Sequence, residues 1–483
     1  GLHLIERATE RFEKLTGHVS CQPLLARRIS GVSGNQGPGH RDHRFGRDWW
    51  RTGGGGHRRA SILTGVDHFV VRPAGPLSGA VAVQGAKNSA LKLMAATLLA
   101  EGDYVLRNVP AITDVEIMSD LLESMGVGVE RTAGGALEIH RDANCVPEAP
   151  YELVERMRAS IAVLGPLLGR FGRARVAMPG GDNFGTRPID MHLRGLEQLG
   201  ATVDFAHGVI EARADQLIGA RIVLEFPSVG ATENLLMAAV LAKGTSVIDN
   251  AAREPEIEDL ADFLNRMGSA VSGAGSSTVT VEGVDMLHAT DHTVIPDRIE
   301  AATYLAAVGV AGGEITIGGA RADHMDTLMR KLRSMGMTIT DTTDGVWASR
   351  RDRPLQAVDV ATLPYPGVAT DYKPLLVAML AVSEGVGVVT ENVYAASRYA
   401  YVAELKRMGA DITLADHHAV VRGVRQLSGA PVKAPDIRAG AALVVAGLVA
   451  DGETVVGDGH HLDRGYEDMA GKLRALGADV NRA

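Results

Sequence analysis

Lys331-Leu-Arg-Ser-Met-Gly336 closes an amphipathic stretch, and the same ending returns as Leu121-Leu-Glu-Ser-Met-Gly126, Leu196-Glu-Gln-Leu-Gly200, Phe263-Leu-Asn-Arg-Met-Gly268, Leu405-Lys-Arg-Met-Gly409 and Lys472-Leu-Arg-Ala-Leu-Gly477. Successive glycines of this mark stand 74, 68, 68, 73 and 68 residues apart. A second mark, a glycine between an apolar run and a Val/Ile-rich one, recurs at Gly102, Gly172, Gly244, Gly313, Gly385 and Gly452 with spacings of 70, 72, 69, 72 and 67. Glycine after a helical pattern supplies the left-handed stop that a residue bearing Cβ resists. Each copy therefore reads as strand, helix, strand, helix, strand, a βαβαβ-type unit of about 70 residues. Solenoid repeats run roughly 20 to 45 residues, so each unit is expected to be a small subdomain. The predicted fold class is α/β, six such units closing as two groups of three with a cleft between them, where ligand sites tend to form. Apolar helices such as Ala90–Leu99 and Ala439–Ala450 are expected inside, with sheets around them.

Of the 483 residues, 49 are Lys or Arg against 58 Asp or Glu, and 46% are hydrophobic, which excludes wholesale disorder and gives no overall charge for nucleic acid. Aromatics are only 4% while glycines number 57, so the core must be packed by Ala, Val, Leu and Ile. Cys21 and Cys145 are too few for a disulfide framework, and a cytoplasmic location is expected. The apolar runs Ala301–Gly313 and Ala439–Ala450 fall short of the roughly 18 residues of a membrane span, so no membrane insertion is predicted. Residues 1–65 differ from the rest: 11 basic and 5 acidic side chains give +6, against −15 for the remainder. The Gly/Arg/His-rich tract Gly31–His57 shows neither period, so a disordered basic extension is expected, without the apolar core of a secretion signal. A targeting segment and a basic arm for an anionic surface are the other readings.

Chemistry concentrates at loops and helix entries. Pro179-Gly-Gly-Asp-Asn-Phe-Gly-Thr-Arg-Pro-Ile-Asp190 reads as a lid whose Gly180, Gly181 and Gly185 allow closure carrying Asp182 and Arg187, or else as a solvated connector. In Gln84-Gly-Ala-Lys-Asn-Ser89, Lys87 and Asn88 open an apolar helix, where free N–H groups favour an anion, although a surface lysine explains the pattern too. Ser228-Val-Gly-Ala-Thr-Glu-Asn234 is either a second such entry or a simple cap. Arg158, Arg187, Arg298, Arg398, Arg438 and Arg464 would suit a substrate bearing carboxylate and phosphate if they converge. Among Asp371, Asp436 and Asp463, one could be a general base, or each could cap a helix or orient an arginine. His417-His418 and His460-His461 are adjacent and expected to point apart, so no metal site is predicted. Nucleotide hydrolysis and nicotinamide chemistry lack a motif, and no cofactor is expected.

Several of these segments, with Arg158-Ala-Ser160, Leu164-Gly-Pro166, Asn250-Ala-Ala-Arg-Glu-Pro-Glu256, Pro296-Asp-Arg-Ile-Glu300, Leu427-Ser-Gly-Ala430, Asp436-Ile-Arg-Ala439 and His461-Leu-Asp-Arg-Gly-Tyr-Glu467, make residues 66–483 resemble the enolpyruvyl transferases, the EPSP synthase-like family. The resemblance implies two inside-out α/β barrel domains, residues 66–85 plus 296–483 and residues 86–295, the second carrying the lid 179–190. It implies transfer of the enolpyruvyl group of phosphoenolpyruvate to the 3′-hydroxyl of UDP-N-acetylglucosamine with release of phosphate. Lys87, Asn88, Arg187, Arg438 and Arg464 would hold phosphoenolpyruvate. Asn88, Arg158, Arg187, Pro188, Ile189, Asp190, Met191, Ser228, Val229, Gly230, Asp371 and Val393 would hold the nucleotide sugar. Asp371 would take the hydroxyl proton, and Asp182 would be the general acid where the commoner family pattern has cysteine, which implies insensitivity to the thiol-alkylating epoxide fosfomycin. Val393-Tyr-Ala-Ala-Ser-Arg398 is one residue longer than the family pattern, Phe226 and Gly457-Asp-Gly-His460 depart from it, and residues 1–65 have no counterpart. A shikimate-3-phosphate enolpyruvyl transferase and a silent nucleotide-sugar-binding paralogue are the alternatives. Protein partners are left open.

Overall fold

Twelve glycines punctuate the chain as the two sequence marks require. Gly102, Gly172, Gly244, Gly313, Gly385 and Gly452 all have positive φ, as do Gly126, Gly200, Gly268, Gly336, Gly409 and Gly477. At Gly336 and Gly477 an added Cβ would meet nothing within 4 Å, so the backbone conformation, at φ of 101° and 93°, and not crowding, demands glycine. The computed structural model describes residues 67–73, 75–181, 188–351, 353–394 and 398–483, so the reading of residues 1–65 lies outside it.

The apolar runs before the second mark form helices, numbered here in chain order: α1 Lys87–Ala96, α2 Leu164–Phe171, α3 Val229–Ala239, α4 Arg298–Ala311, α5 Lys373–Ala381 and α6 Ile437–Gly447. They are apolar nearly all round because they are interior: every residue of α5 and α6 is buried. The helices ending in Met/Leu-Gly are amphipathic, such as Pro255–Arg266 and Asp326–Ser334, and cover the cores from one face.

Each sheet follows one plan. In one, Arg221–Val223 runs parallel to Thr245–Asp249, which pairs antiparallel with Thr278–Glu282, whose other edge takes Ala270–Ser272. Six four-stranded sheets among the described residues share this order. The unit thus has one strand more than the expected βαβαβ, because the short run after Gly126, Gly200, Gly268, Gly336 and Gly409 turns back on itself, while after Gly477 the strand Asp479–Arg482 pairs with His68–Arg72 instead. Thr202–Ala206 and Val209–Arg213, for example, are joined by His207-Gly208, both at positive φ, the two-residue turn that matches strand twist.

Three sheets take a strand from far along the chain. Leu77–Ala82 pairs with Gly313–Gly318, and Gly102–Arg107 with His292–Thr293. His68–Arg72 fits between Thr454–Gly457 and Asp479–Arg482. Two hydrophobic cores result, one built from residues between Phe69 and Val83 and between Ile299 and Val480, the other from residues between Ala90 and Val294.

The chain passes between the cores twice, and the two passages are bound to each other. Gly85 bridges Pro296, Ala86 N–H donates to Ile295 O at 2.6 Å, and Asp297 N–H donates to Gln84 O at 2.7 Å. A Cβ at Gly85 would fall 1.7 Å from Asn108 O, so no other residue fits without moving the backbone. Asp297 caps α4 through Oδ1, accepting from Ile299 N at 2.7 Å and Glu300 N at 3.0 Å, and through Oδ2 accepts the first N–H of α1, Lys87 N, at 3.2 Å. One carboxylate therefore serves helices of both cores. Loss of an ordinary N-cap costs about 0.5–2 kcal/mol; Asp297→Ala is expected to exceed that range in urea denaturation, and a loss no larger than that of Ser228→Ala, which caps α3 alone, would refute the double role.

Candidate active site

The N-terminal ends of the buried helices carry most of the predicted residues. Lys87 opens α1, Arg158–Val163 is a 3-10 turn leading into α2, Ser228 caps α3, Arg298 opens α4, Asp371 lies in the 3-10 turn Thr370–Tyr372 before α5, and Arg438 is the second residue of α6. Such ends expose N–H donors and the positive pole of the helix, so they gather anionic groups.

Lys87 is buried, not a surface lysine. Its ammonium lies 2.7 Å from Asp114 Oδ2, and Asp114 Oδ1 accepts from Arg464 Nε at 2.8 Å. Burial alone would raise the Asp114 carboxyl, but Lys87 and then Arg464 hold it below its ordinary value. The Lys87 ammonium is also held low, first by burial and then by Arg438 and Arg464, which together outweigh the attraction of Asp114. Three cations thus converge from segments of both cores. Arg438 is 5% exposed and lies over the Tyr466 ring at 5.6 Å.

Asp371 faces this cluster. Its Oδ1 accepts from Arg398 Nη2 at 2.6 Å and lies 3.9 Å from Arg438 Nε. Burial pushes its carboxyl up, but Arg398 and then Arg438 prevail and keep it well below the usual carboxylate range. Arg398 thus presents its guanidinium to Asp371. Val393 N–H donates to Glu391 Oε1 at 2.9 Å.

A second group surrounds Ser228–Gly230. Ser228 Oγ accepts from Ala231 N at 3.3 Å. A Cβ at Gly230 would meet His192 Cε1 at 3.1 Å. His192 Nδ1 lies 2.9 Å from Asn234 Nδ2, and Asn234 Oδ1 accepts from Gly165 N at 2.7 Å. Burial, then Arg158 and Lys92, lower the His192 ring to about 3, so it is neutral, and with Nδ1 accepting from the amide its proton sits on Nε2. Met191 packs on the second core, Asp190 starts the helix Asp190–Gln198 beside Arg194 at 3.5 Å, and Ile189 is buried while Pro188 is exposed. Arg158 Nη1 donates to Pro179 O at 3.4 Å. Asn88 O accepts from Lys92 Nζ at 3.4 Å.

Other predicted residues serve elsewhere. Arg298 does not join the cluster: it is buried against Glu256 at 3.1 Å and Tyr372 Oη at 3.1 Å, tying the cores together. Asp436 caps α6, and Asp463 pairs with Arg482 at the surface. The rings of His417 and His418 lie 4.0 Å apart instead of diverging, because His417 stands in the turn and only His418 in the strand. His460 and His461 share the helix His460–Asp463, with rings 4.3 Å apart. Asp182 and Arg187 lie outside the described residues. Among those described, no group of three or more His, Cys, Asp or Glu side chains is placed to hold a metal, and no helix is long and apolar enough to cross a membrane. A surface cavity of about 380 Å³ lined by Arg321, Asp323, Asp341 and Asp344 contains none of the predicted residues.

Asp114, Lys373, Glu391 and His192 escaped the sequence reading. Lys373 had a signal, a lone cation opening the apolar run Lys373-Pro-Leu-Leu-Val-Ala-Met-Leu-Ala381. Asp114 had none, since an acidic residue in a first helical turn is ordinary.

Residues 71–473 match the model of the EPSP synthase (3-phosphoshikimate 1-carboxyvinyltransferase) family. Proteins named UDP-N-acetylglucosamine 1-carboxyvinyltransferase are similar along almost their whole length. That of Corynebacterium jeikeium is 51% identical over 416 residues, 86% of this chain and 99% of its own. The enzyme numbered 1 of Caldanaerobacter subterraneus subsp. tengcongensis is 49% identical over 414 residues, 86% and 99%. The crystal structure of the enolpyruvyl transferase NikO from Streptomyces tendae superposes with a TM-score of 0.78 at 27% identity, covering 87% of this chain and 99% of that one. An EPSP synthase from Acinetobacter baumannii shares the fold, with a TM-score of 0.68 at 19% identity over 86% and 100%.

Removing one partner from a buried ion pair costs about 3–5 kcal/mol, and Asp114→Asn is expected to destabilise the chain on that scale at pH 7. The folded carboxyl binds its proton more weakly than the ordinary 3.8 of the unfolded chain. Its stabilisation is therefore complete above that pH and drains away as acidity approaches the lower folded value. Urea denaturation should show the gap between wild type and Asp114→Asn closing as pH falls below 4; a gap independent of pH would contradict the assigned pairing.

Proposed function

The chain belongs to the EPSP synthase family of enolpyruvyl transferases, and from that premise we propose that it transfers the enolpyruvyl group of phosphoenolpyruvate to the 3′-hydroxyl of UDP-N-acetylglucosamine. This reaction releases phosphate and is the first committed step of peptidoglycan precursor synthesis. The observation that carries the reading is the convergence of Lys87, Arg438 and Arg464 from both cores, with Asp371 beside them. The acceptor follows from relatives so named at 51% identity, against the 19% of the shikimate-type structure. Two soluble substrates suit a cytoplasmic enzyme.

Phosphoenolpyruvate carries its phosphate ester and its carboxylate on the same carbon, and Lys87, Arg438 and Arg464, with Asn88 and Arg187, would hold these two groups by charge-assisted hydrogen bonds. Protonation of its methylene makes the neighbouring carbon electrophilic. The sugar hydroxyl then attacks that carbon, giving a tetrahedral ketal that still bears phosphate. Loss of phosphate and of a methyl proton restores the double bond. Asp371 is a weak base because its arginines stabilise the carboxylate. It suffices because an alcohol oxygen bonded to the new carbon becomes strongly acidic, so the proton leaves late. Arg158, Pro188–Met191, Ser228–Gly230 and Val393 would hold the nucleotide sugar. The lid 179–190 would bring Asp182 as general acid, its carboxyl raised by closure beside the substrate's charge. The domains would be residues 66–85 plus 296–483 and residues 86–295, each three units folded as an inside-out barrel.

Purified chain mixed with both substrates should release phosphate and convert the sugar nucleotide to its enolpyruvyl ether, whereas turnover with shikimate-3-phosphate alone would reassign the acceptor. Asp182→Asn should lower kcat by about 10²–10⁴-fold, the usual worth of a general acid. Fosfomycin should leave the intact mass unchanged, and an adduct on Asp182 would overturn the acid's proposed resistance.

A further inference from the structure

We infer that Lys373 and Glu391 form a positioning pair that fixes the Asp371 carboxylate through Thr370 and Arg398, an inference that rests on Asp371 being the proton acceptor proposed above. Both side chains are wholly buried, and Lys373 Nζ lies 2.7 Å from Glu391 Oε2. The same ammonium donates to Arg398 O at 2.8 Å and sits over the Tyr399 ring at 3.9 Å. Glu391 gathers the surrounding segments: Oε1 accepts from Thr362 Oγ1 at 2.7 Å, Val393 N at 2.9 Å and Tyr394 N at 3.1 Å, and Oε2 accepts from Thr370 Oγ1 at 2.8 Å.

The direction of the chain of bonds is set by donor count. A guanidinium only donates, so Thr370 Oγ1 accepts from Arg398 Nη1, at 2.8 Å, and its single proton goes to Glu391. Arg398 is thus held at both ends, its carbonyl by Lys373 and its guanidinium by Thr370, before Nη2 reaches Asp371 at 2.6 Å. A long arginine side chain otherwise loses considerable rotamer freedom to be ordered. The pair transfers that cost to groups already fixed in the core. The charged groups facing Asp371 are Arg398, Arg438 from α6 and Arg298 from α4; those facing Lys373 are Glu391, Arg398 and Asp436.

The test compares the full-length wild type with Lys373→Met and with Thr370→Val, the second deleting one hydroxyl without leaving a buried charge. Protein labelled with 13C at the aspartate carboxyl carbon, with the Asp371 resonance identified by its loss in Asp371→Asn, reports that carboxyl's ionisation directly. In wild type it should stay ionised down to the lowest pH at which the chain is folded. Both variants should titrate at higher pH, because a loosened Arg398 no longer stabilises the carboxylate. Their kcat should acquire an acid limb at that pH, with a loss at neutrality on the order of 10²-fold, the scale of a small misplacement. Unchanged titration and pH profiles, with only a lowered Tm, would overturn the inference and leave the pair a merely structural one. Should Lys373→Met fail to fold, Thr370→Val decides by the same two readouts. If wild type does not turn over UDP-N-acetylglucosamine, the functional reading fails while the carboxyl titration still decides the pair.

Discussion

The carboxylate of Asp297 joins what the chain would otherwise leave separate. A buried helix end exposes N–H groups that water cannot reach, and each must find an acceptor. Two such ends, the starts of α1 and α4, meet where the chain passes between its cores, and Asp297 serves both. Because the first N–H of α1 donates to the side chain that caps α4, the Lys87 backbone is located relative to the other core. The Lys87–Asp114–Arg464 cluster, with members in both cores, depends on that registration. So does the buried Arg298–Glu256 pair, since Arg298 follows the cap residue directly.

The site follows from the same economy. Caps supplied by Ser228, Asp297 and Asp436 satisfy three helix ends internally, while the starts of α1 and α5 have no side-chain cap of their own. Lysines open both of these helices, and each lysine is neutralised by a carboxylate from another segment, Asp114 or Glu391. Cations at a positive helix pole are costly in isolation. They are tolerated here because fixed acidic partners face them.

Local rules made much of this readable beforehand. The glycine marks state a backbone requirement that only glycine meets, so their period exposed the repeated unit, and unbroken apolar runs of helical length identified the buried helices. Helix entries bearing Gly-x-Lys or Arg pointed to the helix starts where Lys87 and Arg438 lie. What local rules could not supply was pairing over distance. Asp114 and Arg464 are 350 residues apart, and nothing in either neighbourhood names the other. The hairpins ending five of the units were missed because their strands run only three to six residues, too short for alternation to be read. Arg298 looked like its neighbours in type and place, yet its fork was taken by Glu256, a partner chosen by packing.

The sheet that receives His68–Arg72 contains strands from the other end of the chain, and His68 and Ala483 exchange backbone hydrogen bonds at 3.0 Å. That sheet therefore joins the first and last of the described strands. Synthesis proceeds in one direction, so the two cores cannot mature together. The core drawn from Ala90 to Val294 has all its residues once the middle of the chain is made. The other must keep Phe69 and Leu77 unpaired until strands near Val480 and Gly313 arrive. Long-range closure of this kind is slow and leaves strand edges exposed. Connectivity thus makes all residues of the inserted core available before those of the interrupted one, whose paired strands lie at opposite ends of the described chain.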